Sequence, residues 1–151
     1  MRAVLLQAVL LLLIPCLASA QVPSAPALTA KGYILIDHDS GMVLAEKAAS
    51  ERLEPASITK LMTAYVAFSA IQSGQISLSD EVLISEKAWR TPGSRMFIEV
   101  GTRVPLELLL QGMIVQSGND ASVAIAEYVA GTEATFAELM NQNAAKLGMT
   151  G

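Results

Sequence analysis

Histidine and cysteine occur once each in this 151-residue chain, as His38 and Cys16, and no stretch clusters lysine and arginine. These absences exclude whole classes of chemistry. A Ser-His triad or an imidazole metal centre would have to rest on His38, which stands between Asp37 and Asp39 at an expected hairpin turn and reads as a solvated loop residue. A disulfide needs two cysteines. Ten basic against fourteen acidic residues, with a formal net charge of −4, leave no electrostatic footprint for nucleic acid. No metal and no organic cofactor is called for.

The lone cysteine belongs to a segment with its own signature. Arg2 supplies a positive end, Ala3 to Ile14 is apolar but short for a bilayer span, and Ala18-Ser19-Ala20 has the small-x-small form of a cleavage site. Residues 1–20 therefore predict a signal peptide, and with it export to the periplasm or the outer face of the cytoplasmic membrane. Pro15 before Cys16 departs from the small residue that lipid attachment wants. Cleavage after Ala20 leaves 131 residues and a formal charge of −5, because Arg2 is the only charged residue removed. That length supports one domain with a modest core.

Residues 21–31, with Pro23 and Pro26, read as a loose leader. Gly32 to Asp37 and Met42 to Glu46 are apolar runs joined by Asp39-Ser40-Gly41, a hairpin signal. A short strand is expected at Val82 to Ile84, and Glu86 to Gly101 is polar and broken by Pro92 and Gly93. Pro105 to Gln116 and Ala121 to Ala130 have helical patterns, and Thr132 to Leu147 predicts a last helix capped by Thr132 and ended by Gly148. Arg90 and Arg95 read as solvated loop arginines.

The most informative pair is Ser57 and Lys60, at the start of a helix with no other charge until Asp80. Pro55 stands where a helix tolerates a missing N–H, and a spacing of three puts Ser57 and Lys60 on one face. Ile58, Leu61, Met62, Tyr65 and Val66 form an apolar stripe, with Ala64 and Ala67 keeping the other side small; the helix reads as buried all round. Burial disfavours an ammonium, and a neutral amine one turn from a hydroxyl can take its proton. That is how a serine nucleophile is activated, with the helix N-terminus favouring the negative charge that develops. The bland alternative is a surface lysine that happens to follow a serine.

A second motif lies between two helical patterns, at Ser117-Gly118-Asn119. Gly118 allows a tight turn, so the Ser117 hydroxyl and the Asn119 amide can both project into a cleft. By itself this is equally an ordinary turn, with Asn119 or Asp120 capping the next helix.

Taken together, Pro55-Ala56-Ser57-Ile58-Thr59-Lys60, Gly93-Ser94-Arg95-Met96-Phe97 and Gln116-Ser117-Gly118-Asn119-Asp120-Ala121 resemble the penicillin-binding proteins and class A β-lactamases. With Tyr33-Ile34-Leu35-Ile36-Asp37, Ser40-Gly41-Met42-Val43-Leu44, Tyr128-Val129-Ala130-Gly131 and Lys146-Leu147-Gly148-Met149-Thr150, the finer likeness is to the low-molecular-mass D-alanyl-D-alanine carboxypeptidases. The resemblance implies an α+β, β-lactamase/transpeptidase-like serine acyl-transferase fold, of which residues 32–151 form the N-terminal part of the catalytic domain. It implies a substrate, the peptidoglycan stem peptide, and β-lactam antibiotics as inhibitors. Ser57 would attack, Lys60 would be the base, Ser117 would relay the proton and Asn119 would hold the substrate; the Ser57 N–H would be half of the oxyanion hole.

The family's Lys-Thr-Gly does not occur, and Met149-Thr150-Gly151 lacks its cation. The resemblance thus leads us to expect a truncated fold: two N-terminal strands and a helical subdomain, without the remaining sheet strands, the other oxyanion donor or the C-terminal membrane anchor of many members. Such a chain alone is expected to be inactive and poorly folded, with an uncovered Tyr33 to Ile36 edge. Rival readings are a class A-like β-lactamase, an endopeptidase of the same clan, and a non-catalytic fragment or binding module. The β-lactamases typically carry aspartate where this chain has Gly118.

Overall fold

The computed structural model describes residues 26–149. The expected signal peptide, the start of the leader, Thr150 and Gly151 lie outside the described residues. The chain divides into two units at Glu51. In the first, β1 (Tyr33–Ile36) pairs antiparallel with β2 (Val43–Lys47), Tyr33 opposite Lys47, with a register shift between Leu35 and Ile36. The turn follows from its residues. Asp37 Oδ1 accepts the Ser40 N–H at 2.9 Å and the Ser40 hydroxyl, and Gly41 takes a left-handed φ of 71°. These bonds, the hydroxyl's first, hold the Asp37 carboxyl below the ordinary carboxylate range. His38 is exposed here, and Ile34, Leu35, Ile36, Val43 and Leu44 are each about half exposed.

The second unit is built around one alanine-rich helix. This is α4 (Asn119–Ala130), which buries Asp120, Ala121, Val123, Ala124, Ile125 and Ala126. It packs against α1 (Thr59–Gln72), α2 (Glu86–Arg90), α3 (Leu106–Gln116), α5 (Glu133–Lys146) and β3 (Glu81–Leu83). Small side chains let several elements approach one axis, while Leu106, Leu109, Leu110 and Met113 of α3 fill the space beside it. A smaller cluster of Val66, Ala126 and Phe136 joins α1, α4 and α5.

Helix α1 departs from the expectation that it is buried all round. Its buried residues are Thr63, Val66, Ala67 and Ala70, a stripe at helical spacing. Ile58, Leu61, Tyr65 and Phe68 lie on the outer side, with Leu61 72% exposed. The packed side carries Thr63, Val66, Ala67 and Ala70, and Ala67 stands on the small side that the sequence assigned to close packing.

The expected strand at Val82 to Ile84 is β3, one residue earlier, and it pairs antiparallel with a strand not foreseen, β4 (Arg103–Pro105). Pro105, expected as the first helical residue, ends β4 and precedes α3 with ψ of 137°. The first N–H groups of α3 are satisfied by chain rather than by a cap: Leu106 N–H donates to Asp80 O at 2.9 Å and Glu107 N–H to Leu78 O at 3.0 Å. Thr132 caps α5 as expected, accepting the Thr135 N–H at 3.1 Å.

The Ser77–Asp80 turn is tied to α4 through Asp80 Oδ2, which accepts the Ser77 N–H and the Tyr128 hydroxyl, each at 2.7 Å. The Ser77 bond first, then Tyr128, holds the Asp80 carboxyl below its ordinary value of 3.8; the same bond raises the Tyr128 phenol above 10.0. The lowered acid stabilises the fold above its ordinary value and loses that contribution as pH falls through the folded value. The raised phenol contributes below its ordinary value and loses it as pH rises through the folded one. Tyr128→Phe is therefore expected to lower the melting temperature at neutral pH, with the gap to the parent shrinking in strong acid and in strong alkali. Thermal melts across pH check this, and a pH-independent gap would remove the bond from the account.

Candidate active site

Four side chains from two helix starts and one helix end meet in the second unit. Ser57 lies in the 3-10 turn Ala56–Ile58 that leads into α1, and Lys60 is in the first turn of α1 itself. Lys60 Nζ is 3.2 Å from Ser57 Oγ and donates to Asn119 Oδ1 at 2.7 Å. Ser117 Oγ donates to Ser57 Oγ at 2.9 Å. The four residues singled out in the sequence are thus brought together, with Ser57 Oγ in contact with both an amine and a second hydroxyl. Ser57 is exposed, and Lys60 and Asn119 are half-buried.

Lys60 stands between two hollows. One, of about 170 Å³, is bounded by Ser57, Leu61, Ala64, Met113, Ile114 and Ser117. The other, of about 420 Å³, lies toward Thr63, Ser122, Phe136 and Met140. Because the outer side of α1 is open, Lys60 is only partly enclosed, so the burial argued from the sequence is incomplete. Another feature sets this lysine apart: among the described residues the ion pairs are Lys87–Glu133 and Arg90–Glu86, and Lys60 has no carboxylate partner.

The backbone is strained where it presents these groups. Among the described residues the non-glycine positions with positive φ are Ala48, Ala56, Phe97 and Ser117. Ala56, at 47°, immediately precedes Ser57, and Ser117, at 56°, ends α3 in the left-handed region. Each such residue costs on the order of 1–2 kcal/mol. The tight turn expected of Gly118 is therefore made by Ser117, and Gly118 serves close approach instead. It is buried, and a Cβ there would lie 3.0 Å from Asp120 Oδ1 and 3.3 Å from Gly112 O, so any larger side chain would require these neighbours to give by a few tenths of an ångström.

Neither Asn119 nor Asp120 acts as the helix cap read from the sequence; Gly118 occupies that position without a side-chain bond. Asn119 divides its amide instead, Oδ1 toward Lys60 and Nδ2 donating to Pro92 O at 2.7 Å. Asp120 is 1% exposed, and its carboxylate accepts the backbone N–H groups of Met96, Phe97 and Ile98 at 3.0, 2.9 and 3.3 Å. Sequence reasoning did not assign Asp120 to the site. The signal it offered was an acid directly after the Ser-Gly-Asn triplet and before an apolar helix. Arg90 pairs with Glu86 at 2.8 Å on the surface, whereas Arg95 places its guanidinium 5.1 Å from the Phe97 ring.

Comparison with known proteins shows the family and the fold. A family model described as D-alanyl-D-alanine carboxypeptidase matches residues 19–151. Over 139 residues the chain is 46% identical to the D-alanyl-D-alanine carboxypeptidase DacC of Escherichia coli (strain K12), covering 88% of this chain and 35% of that protein. Among solved structures, penicillin binding protein 5 from Haemophilus influenzae is 40% identical with a TM-score of 0.77, covering 84% of this chain and 38% of that one. The DD-transpeptidase of Streptomyces K15 is 29% identical with a TM-score of 0.70, covering 83% and 52%. The α+β, transpeptidase-like fold class expected from the motifs is therefore shown, and the chain spans about a third of the length of the curated relatives it matches.

Asn119→Ala removes an acceptor from Lys60 and a donor from Pro92 O together. With one bond involving an amine and one neutral, we expect a loss of about 2 kcal/mol in unfolding free energy. Asn119→Asp is expected to keep the Lys60 contact and to lose the Pro92 bond. Chemical denaturation of both variants checks the order; equal stability of Asn119→Ala and the parent would contradict it.

Proposed function

The chain belongs to the D-alanyl-D-alanine carboxypeptidase family, and from that premise we propose that the whole protein is a serine-type carboxypeptidase that removes the terminal D-alanine of peptidoglycan stem peptides through an acyl-enzyme on Ser57. The observation that carries this reading is the placement of Ser57 Oγ within 3.2 Å of Lys60 Nζ and 2.9 Å of Ser117 Oγ. An exposed hydroxyl touching an amine without a carboxylate partner is an activated nucleophile whose base is already in hydrogen-bond reach.

The steps follow from these contacts. Ser57 Oγ attacks the carbonyl carbon of the penultimate D-alanine, and the Lys60 amine accepts the hydroxyl proton as the new C–O bond forms. The Ser57 backbone N–H, at the entry to α1, lies where it would stabilise the oxyanion together with the positive end of that helix. Collapse of the tetrahedral intermediate breaks the peptide C–N bond, and Ser117, touching Ser57, passes the proton from Lys60 to the departing D-alanine amine. Water then attacks the ester, its proton returns through the same pair, and Ser57 is regenerated. Asn119, anchored by Pro92 and Lys60, supports both the substrate backbone and the lysine.

Ligand and compartment come with the reading. A β-lactam presents a strained amide to the same serine and stops at the acyl stage. A peptidoglycan substrate requires an exported protein, in keeping with the signal peptide expected over residues 1–20.

Two variants test the assignments. Ser57→Ala should abolish release of D-alanine from a pentapeptide ending in D-Ala-D-Ala, measured on the whole protein; retained release would remove Ser57 from its role. Lys60→Arg replaces the amine with a guanidinium that cannot serve as base at working pH, so acylation should fall by about 10²–10⁴-fold, the range for losing a positioned base. A parental rate would show that Lys60 is not the proton acceptor.

A further inference from the structure

We propose that Asp120 is a positioning residue for acyl transfer: its buried carboxylate fixes the segment 93–98, and that segment sets where the Asn119 amide and the Lys60 amine stand. The inference rests on the reading of Ser57, Lys60 and Asn119 given above, and it concerns a residue that touches none of the reacting atoms.

The chain of contacts is continuous. Asp120 accepts three consecutive backbone N–H groups from Met96, Phe97 and Ile98, and a fourth from Ala121 at 2.9 Å. Four donors converge on one acceptor-only group, which is what a carboxylate offers and an amide does not. The middle residue of the three, Phe97, is held at a φ of 64° and is 74% exposed. A bulky residue in the left-handed region is a costly conformation. Burial does not repay it, since Phe97 is exposed, so the hydrogen bonds to Asp120 are what hold the strain in place.

The same segment, with Pro92 just before it, grips Asn119. Pro92 O accepts its Nδ2 and Ser94 O accepts its backbone N–H, both at 2.7 Å. Gly93, at a φ of 92°, lies so close that a Cβ would sit 2.5 Å from Asn119 Nδ2. The remaining face of that amide, Oδ1, holds Lys60 Nζ. Release of the carboxylate bonds lets Phe97 relax, which moves Gly93 and Ser94 and with them the amide that orients the base.

The test is the rate of acylation by a labelled penicillin in the whole protein, with cooperative unfolding measured in parallel. Asp120→Asn should acylate about 100-fold more slowly, the loss that a displacement of about 1 Å produces. Adding Phe97→Gly should restore at least about tenfold of that loss, because glycine adopts positive φ without the penalty and keeps the segment in place. Rescue separates positioning from mere stability, since removing the Phe97 ring adds no packing. A parental rate in Asp120→Asn, or a slow rate that Phe97→Gly leaves unchanged, overturns the proposal. If Asp120→Asn does not fold, Gly93→Ala decides: it displaces the exposed segment with Asp120 intact and should slow acylation, and a parental rate overturns the inference. A parent protein that is not acylated at Ser57 would instead refute the function on which the inference rests.

Discussion

The hydrogen bond from Lys60 Nζ to Asn119 Oδ1 joins two helix starts that are 59 residues apart in the chain, and the arrangement of the second unit depends on it. It fixes the first turn of α1 against the first turn of α4, and this brings the Ser117 hydroxyl onto Ser57. A half-buried amine has few ways to be satisfied. Here the partners are a side-chain carbonyl and a serine hydroxyl rather than a carboxylate, so the lysine is held in place without being neutralised by an opposite charge. The bond also explains the composition of the two helices. Polar groups can meet at their starts only if the axes lie close, and the small buried residues Thr63, Ala67 and Ala70 of α1 and Ala121, Ala124 and Ala126 of α4 allow that.

Strain is distributed around the same point. Ala56, Phe97 and Ser117 all hold positive φ, and each lies next to a group that the site uses: the Ser57 hydroxyl, the segment on Asn119, and the Ser117 hydroxyl. Such conformations persist where surrounding contacts over-determine them. The contacts here are the convergence of backbone donors on Asp120 and the close approach at Gly93 and Gly118. The rigid helices supply the frame, and the irregular backbone supplies the aim.

Much of this was legible in the residues. The hairpin followed from Asp39-Ser40-Gly41 between apolar runs, the last helix from Thr132 and Gly148, and the Ser57–Lys60 pairing from a spacing of three. What was not legible depends on tertiary contact. β4 is three residues long and ends in Pro105, too short to show a period. The packed face of α1 could not be chosen from hydrophobicity, because Leu61 and Phe68 are more apolar than Thr63 and Ala67 yet lie outside. Asp120 read as a helix cap because local pattern favours that role. Only the return of the chain at residues 96–98 reveals that its donors come from elsewhere.

The most direct measurement of the central claim is the structure of the whole protein after exposure to penicillin, at a resolution that shows the covalent adduct. Continuous density is expected from Ser57 Oγ to the opened β-lactam carbonyl, with Lys60 Nζ still on Asn119 Oδ1 and Ser117 Oγ beside the former ring nitrogen. An adduct on Ser117 or another residue, or an unmodified Ser57 under saturating penicillin, would contradict it.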